Sequence, residues 1–209
     1  MKKIVFLLFL LAVSVAAGRA QESRQDISIS GFGLIEPFMA SSTDVQVHSN
    51  TGIGALASYR FMLTPSSALE VNYGIDYQNV MRYIISNTNI VKVTSRDQEI
   101  SGAYVRSFVF RKWNPFVEGG PAALIFLPIR NSGTTSIDVK QQTVVAGMFG
   151  AGFAYEVSPS FDIRGEYRGL VTKIPNFGQG SGATNENLST NRWYKPWISE
   201  PVIGVAYHF

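Results

Sequence analysis

The sequence predicts an all-β fold, an eight-stranded antiparallel up-and-down barrel that crosses a membrane. Three observations lead there. Segments of strand length alternate apolar with polar residues, the connections between them alternate short with long, and the chain opens on an export leader. The clearest segment is 161–171, FDIRGEYRGLV. It sets Phe161, Ile163, Gly165, Tyr167, Gly169 and Val171 on one face and Asp162, Arg164, Glu166 and Arg168 on the other. A soluble barrel would keep its apolar face inside and its charges in water. A chain whose charges lie inside and whose apolar face lies outside needs lipid around it.

The leader comes first. Lys2 and Lys3 precede an apolar run, Ile4 to Ala17, and small residues follow, with Gly18-Arg19-Ala20 as the cleavage triplet and Val15-Ala16-Ala17 as the alternative. The run falls short of the roughly 20 residues a helical span needs. Residues 1–20 are therefore expected to be a secretory signal peptide, and 21–209 one barrel domain. Removing the leader takes Lys2, Lys3 and Arg19. The net charge of +3, from 18 Lys and Arg against 15 Asp and Glu, then vanishes, and with it any case for nucleic acid. With no cysteine there is no disulfide, no thiolate chemistry and no lipoprotein anchor.

The strands follow in order. Residues 27–36 set Ile27, Ile29 and Ile35 against Ser28, Ser30 and Glu36. Residues 52–61 set Ile53, Ala55, Ala57, Tyr59 and Phe61 against Gly54, Ser58 and Arg60. In 68–78, Leu69, Val71, Tyr73, Ile75 and Tyr77 oppose Glu70, Asn72, Asp76 and Gln78. Residues 99–110 carry apolar side chains on both faces. Turning Arg106 inward sends Ala103, Val105, Ser107 and Val109 outward, the cheaper choice if the alternative is Arg in lipid. Residues 116–127 turn Glu118 in and Val117, Ala123, Ile125 and Leu127 out. Segments 142–155 and 161–171 follow, and 196–209 closes the set with Ile203, Val205, Tyr207 and Phe209 opposite Glu200, Gly204 and His208.

The connections give the orientation. The turns 62–67, 111–115 and 156–160 are short and each holds a proline, which ends pairing. Those at 37–51, 79–98, 128–141 and 172–195 are long. Short turns on one side and long loops on the other match an outer-membrane barrel with both termini in the periplasm. Trp113, Tyr155, Phe161, Tyr207 and Phe209 near one rim, and Trp193, Tyr194 and Trp197 near the other, fit two aromatic girdles.

With its eight alternating segments, its rhythm of connections and its ending IGVAYHF, the chain resembles the small eight-stranded bacterial outer-membrane barrels, the grouping of the OmpA transmembrane domain, OmpX and OmpW. The resemblance spans residues 27–209 and is architectural. It implies residence in the bacterial outer membrane, and it implies that Val205, Tyr207 and Phe209 form the terminal signal read by the outer-membrane assembly machinery. It names no activity, since one barrel hosts many functions.

An eight-stranded barrel is only wide enough for its own side chains. The expected inward set is Arg60, Arg106, Arg164 and Arg168 with Glu70, Asp76, Glu118, Asp162, Glu166 and Glu200. Buried charges must pair. Neighbouring strands offer Arg60 to Glu70, Arg106 to Glu118 and Arg168 to Glu200, a lumen filled by ion pairs of locally cancelling sign. A selective pore would favour one sign.

Candidates for chemistry are few. The two histidines, His48 and His208, lie far apart and show no metal-ligand spacing, so neither metal nor cofactor is expected. His48-Ser49 with Asp44 is the local catalytic candidate, yet it lies in a loop of common loop residues. Gly31-Phe32-Gly33 and the glycines of 178–182 do not lead from a strand into a helix, so phosphate cradling is unsupported. The expected function is a non-enzymatic envelope or surface-interaction role, with membrane lipid as the surroundings and an extracellular ligand reached through the long loops. The resemblance to OmpW implies the alternative, a channel for small hydrophobic solutes. The apolar residues of the second loop (Val80, Met81, Tyr83, Ile84, Ile85, Ile90, Val91, Val93) form either a hairpin prolonging two strands, the favoured reading, or an apolar mouth. A lipid A-modifying enzyme ranks third.

Overall fold

Period-two alternation of β-branched and aromatic residues against small and polar ones builds strands throughout the computed structural model. The structure describes residues 25–35, 39–40, 46–77, 79–84, 90–110, 112–133, 138–173, 175, 177 and 197–209. The expected signal peptide, Asp44, Trp193 and Tyr194 lie outside them. The strands are β1 (Gln25–Leu34), β2 (Met39–Ala40), β3 (Gln46–Ser49), β4 (Gly52–Thr64), β5 (Ser67–Asp76), β6 (Asn79–Ile84), β7 (Ile90–Ser107), β8 (Trp113–Gly133), β9 (Gln142–Ser158), β10 (Phe161–Val171) and β11 (Trp197–His208).

Eight of these close a ring of antiparallel pairs in the order β1, β4, β5, β7, β8, β9, β10, β11 and back to β1. Closure leaves no sheet edge in the hydrocarbon, which lipid requires. Polarity is inverted relative to a soluble barrel: Ile53 and Val145 are each 77% exposed, Arg168 is 0% and Glu200 1%. Trp113 packs on Tyr155 at 4.8 Å between ring centroids, and Phe161 on Tyr207 at 5.1 Å, at the short-turn rim. Trp197 meets Phe149 at 5.1 Å toward the other rim.

The strands outrun the expected bounds on the long-loop side. β7 begins at Ile90 and β8 runs to Gly133. β6 pairs with the top of β7, so the second loop is the hairpin prolongation of two strands. β3 meets β6 in the register that β4 sets on β5, and β2 meets β3 in the register that β1 sets on β4. One sheet thus rises beyond the membrane as β2, β3, β6, β7 and β8.

The facing expected for the fourth segment is reversed. Val105 is fully buried and Ala103 nearly so, whereas Tyr104 and Arg106 point outward. The reason is depth. Turning Arg106 inward would carry Glu99, seven residues up the same strand, to the lipid face within the span. Arg106 is one residue from the strand end, where a long side chain reaches the head groups at little cost. Its Nη1 donates to Ser67 Oγ at 2.9 Å. In the same seam Gly120 is obligatory: a Cβ there would lie 1.9 Å from the Gly102 carbonyl oxygen.

Candidate functional site

The lumen is built from inward positions of facing strands. Near the periplasmic base, Arg60 on β4 lies directly across from Glu70 on β5, and its Nε donates to Glu70 Oε2 at 2.5 Å. Its guanidinium also sits 4.9 Å above the Phe116 ring centroid. Arg164 Nη2 donates to Asp26 Oδ2 at 2.6 Å, and Nη1 stands 3.9 Å from Glu70 Oε2. His208 closes the base, with Nε2 2.9 Å from Asp162 Oδ2 and Nδ1 3.8 Å from Asp26 Oδ2.

Higher up, Arg168 is the one guanidinium in a ring of acids. It donates to Glu99 Oε1 and to Ser101 Oγ. Its Nη1 lies 3.3 Å from Glu200 Oε2, directly across the ladder, and its Nε lies 3.8 Å from Glu118 Oε1 and 4.0 Å from Glu166 Oε1. Glu118 has no hydrogen-bond partner for either oxygen among the described residues. Asp76 is buried at the top of β5, its carboxylate over Gly52, where a Cβ would come within 2.8 Å of Oδ2.

Arg106 takes no part, and Glu118 faces Arg168 instead. The inward acids the sequence reading missed are Asp26, one residue before the first expected strand, Asp97, and Glu99, hidden by the reversed facing. The lumen therefore does not balance. The buried guanidiniums are Arg60, Arg164 and Arg168, and every carboxylate on a described strand shares their side of the wall.

Above the acids the wall becomes apolar. Tyr83, Val91 and Val93 are fully buried, with Met81, Leu124 and Phe126 nearly so. Phe177, also fully buried, sits among them edge-on to Tyr83 at 6.2 Å and to Phe126 at 6.3 Å. Its φ of 49° is strained for a residue with a Cβ, so surrounding contacts must hold it. Phe177 N–H donates to Gln142 Oε1 at 2.8 Å, Lys140 N–H donates to the Phe177 carbonyl at 3.0 Å, and Tyr83 O–H donates to the Pro175 carbonyl at 2.8 Å. Pro175 and Phe177, both from the last long loop, thus cap the mouth as a lid. Nothing in that loop's glycine-rich sequence distinguished Phe177 beforehand.

At the rim of the mouth Ser49 O–H donates to Asn79 Oδ1, and Asn79 Nδ2 donates to Asp97 Oδ2, both at 2.9 Å. The Ser49 hydroxyl is thus committed to Asn79, while His48 stands in register with Arg82. Among the described residues no group of three or more His, Asp or Glu could hold a metal ion. Val205 pairs with Ile29 and Ile163 on the lipid face. Tyr207 pairs with Ile27 and Phe161 and stacks at 6.2 Å on Phe209.

A closed barrel, apolar without and charged within, is the architecture of an integral outer-membrane protein. The family model described as the outer membrane protein beta-barrel domain matches residues 5–209. The chain belongs to that family. Its place is the bacterial outer membrane. Solved structures repeat the fold. Neisserial surface protein A superposes with a TM-score of 0.58 at 14% identity, covering 90% of this chain and 98% of that one. OprG from Pseudomonas aeruginosa superposes at 0.58 and 12% identity, covering 90% and 97%. AlkL in DMPC bilayers gives 0.50 and 15%, covering 92% and 94%. At these identities the likeness speaks for the fold alone. Comparison with curated proteins gives no match.

Proposed function

We propose that this barrel is a non-enzymatic envelope protein that keeps its lumen closed and works outward, through the sheet raised above the membrane. The observation that carries the reading is closure at two levels. Arg168 and its ring of acids fill the middle, and Phe177 fills the mouth. On this reading residues 1–20 direct export, 21–209 form the barrel domain, and the strip Val205, Tyr207 and Phe209 addresses the chain to the assembly machinery. The test is reconstitution in planar bilayers. No steady conductance is expected, and a stable cation-selective current would overturn the closed lumen.

A second reading, passage of small hydrophobic solutes, is favoured by the apolar mouth under Phe177. Removing that ring should cost the lid about 3 kcal/mol of packing, since large buried aromatics lose that much or more on truncation to Ala. Phe177→Ala is therefore expected to admit an apolar, environment-sensitive dye that the parent protein excludes, with the heat-induced gel shift of the folded barrel intact. If dye uptake by vesicles carrying the variant equals that of the parent, the lid does not guard a solute path.

A further inference from the structure

We propose that the outward face of the raised sheet binds the phosphate groups of the glycolipid that forms the outer leaflet of this membrane. Charge is sorted by face across the described strands. Carboxylates point into the lumen, and the outward charges are basic: Arg106 near the inner rim, and Arg82, Lys92, Arg96 and Arg130 near the outer one.

The outer group is packed as a patch. Arg82 lies directly across from Lys92, and His48 is the next position in the same row. Arg130 is one row below, across from Thr94. Like charges directly opposed on a sheet repel and destabilise it unless an anion lies between them. None of the four bases forms an ion pair with a described residue, and no acid pairs with them across the strands; the exposed Asp138 lies off the strands, ahead of β9.

Height identifies the anion. The Arg96 guanidinium sits 6.0 Å from the ring centroid of Tyr77, which is 72% exposed at the top of the lipid-facing surface. Aromatic belts mark the edge of the hydrocarbon, so the bases begin where head groups begin and continue upward from there. Apolar side chains run among them, with Ile129 56% exposed and Val80 half-buried. A face that mixes bases with apolar groups at this height fits a phosphorylated lipid better than a wholly water-borne polyanion.

The experiment uses the folded full-length barrel in nonionic detergent and native mass spectrometry with lipid A carrying both phosphates. Retention is expected for the parent protein and should weaken as salt rises, because surface charges are screened within about 10 Å at 0.1 M. Each base near an anionic surface counts for roughly a fivefold change in affinity, so Arg82→Gln, Lys92→Gln and Arg130→Gln together should lower retention by at least about tenfold. Arg106→Gln, at the other rim, should leave it unchanged. Lipid A stripped of its phosphates should be lost from the parent protein, a comparison that needs no variant to fold. Equal retention of the stripped lipid, or by the triple variant, would overturn the proposal. So would capture of a soluble sulfated glycan without capture of lipid A.

Discussion

Around Arg168 four carboxylates, those of Glu99, Glu118, Glu166 and Glu200, converge on one guanidinium. Around Phe177, further up the same wall, the ring neighbours are Tyr83 and Phe126. Both regions fill the lumen, but different parts of the chain do the filling. The acids ride on β7, β8, β10 and β11, strands paired on both sides, so the backbone holds them whatever their charge state demands. The mouth is filled from a loop, through two aromatic contacts and a few hydrogen bonds. The lower region can fail only with the barrel, whereas the upper one can open while the barrel stands.

The largest expected effect therefore falls in the lower region. Arg168→Leu leaves four buried carboxylates without their cation, and breaking a buried pair costs about 3–5 kcal/mol. The urea midpoint for unfolding from lipid vesicles should drop sharply, with loss of the heat-shifted band. Adding Glu99→Gln should recover part of the loss. A single variant as stable as its parent would show that the ring of acids does not depend on Arg168.

Next comes the outer surface. Val71 is 58% exposed and sits in the middle of β5, so Val71→Arg puts a charge into hydrocarbon at a cost of about 2–4 kcal/mol. Refolding yield into bilayers should fall in proportion. Unimpaired insertion would mean that Val71 does not meet lipid.

How far these regions were legible in the sequence follows from the same contrast. Strict alternation in 68–78 and 161–171 fixes which side chains share a face, so Glu70, Arg164 and Arg168 could be assigned inward from pattern alone. Residues 99–110 carry apolar groups on both faces, and there depth decides instead of pattern. Glu99 outweighs Arg106 there, so the facing is the reverse of the one Arg106 alone implies. Rows of partners across strands depend on stagger, which is a property of the closed ring. The lid was not legible at all: Phe177 lies in a glycine-rich loop without periodicity, and only the closed mouth gives it neighbours.

A smaller effect is expected at the edge of the lid. Tyr83→Phe removes the hydrogen bond to the Pro175 carbonyl, worth about 1 kcal/mol, and keeps the ring packed against Phe177. Global unfolding should hardly move, while tryptic cleavage after Lys173, beside Pro175, should quicken several-fold. Coupled loss of both would tie the lid to the barrel and erase the distinction between the two regions.

The smallest effect should come from Arg106→Leu, and it tests the facing of β7. Arg106 and Arg168 are the same residue type in strands of the same ring, one pointing to the lipid-side rim and the other into the ring of acids. An exposed arginine with one hydrogen bond to Ser67 contributes little, so the substitution should change stability by no more than about 0.5 kcal/mol. The urea midpoint and the gel shift are read beside those of Arg168→Leu. If the two substitutions cost the same, Arg106 points inward, Glu99 points to lipid, and Arg168 has lost its nearest acid.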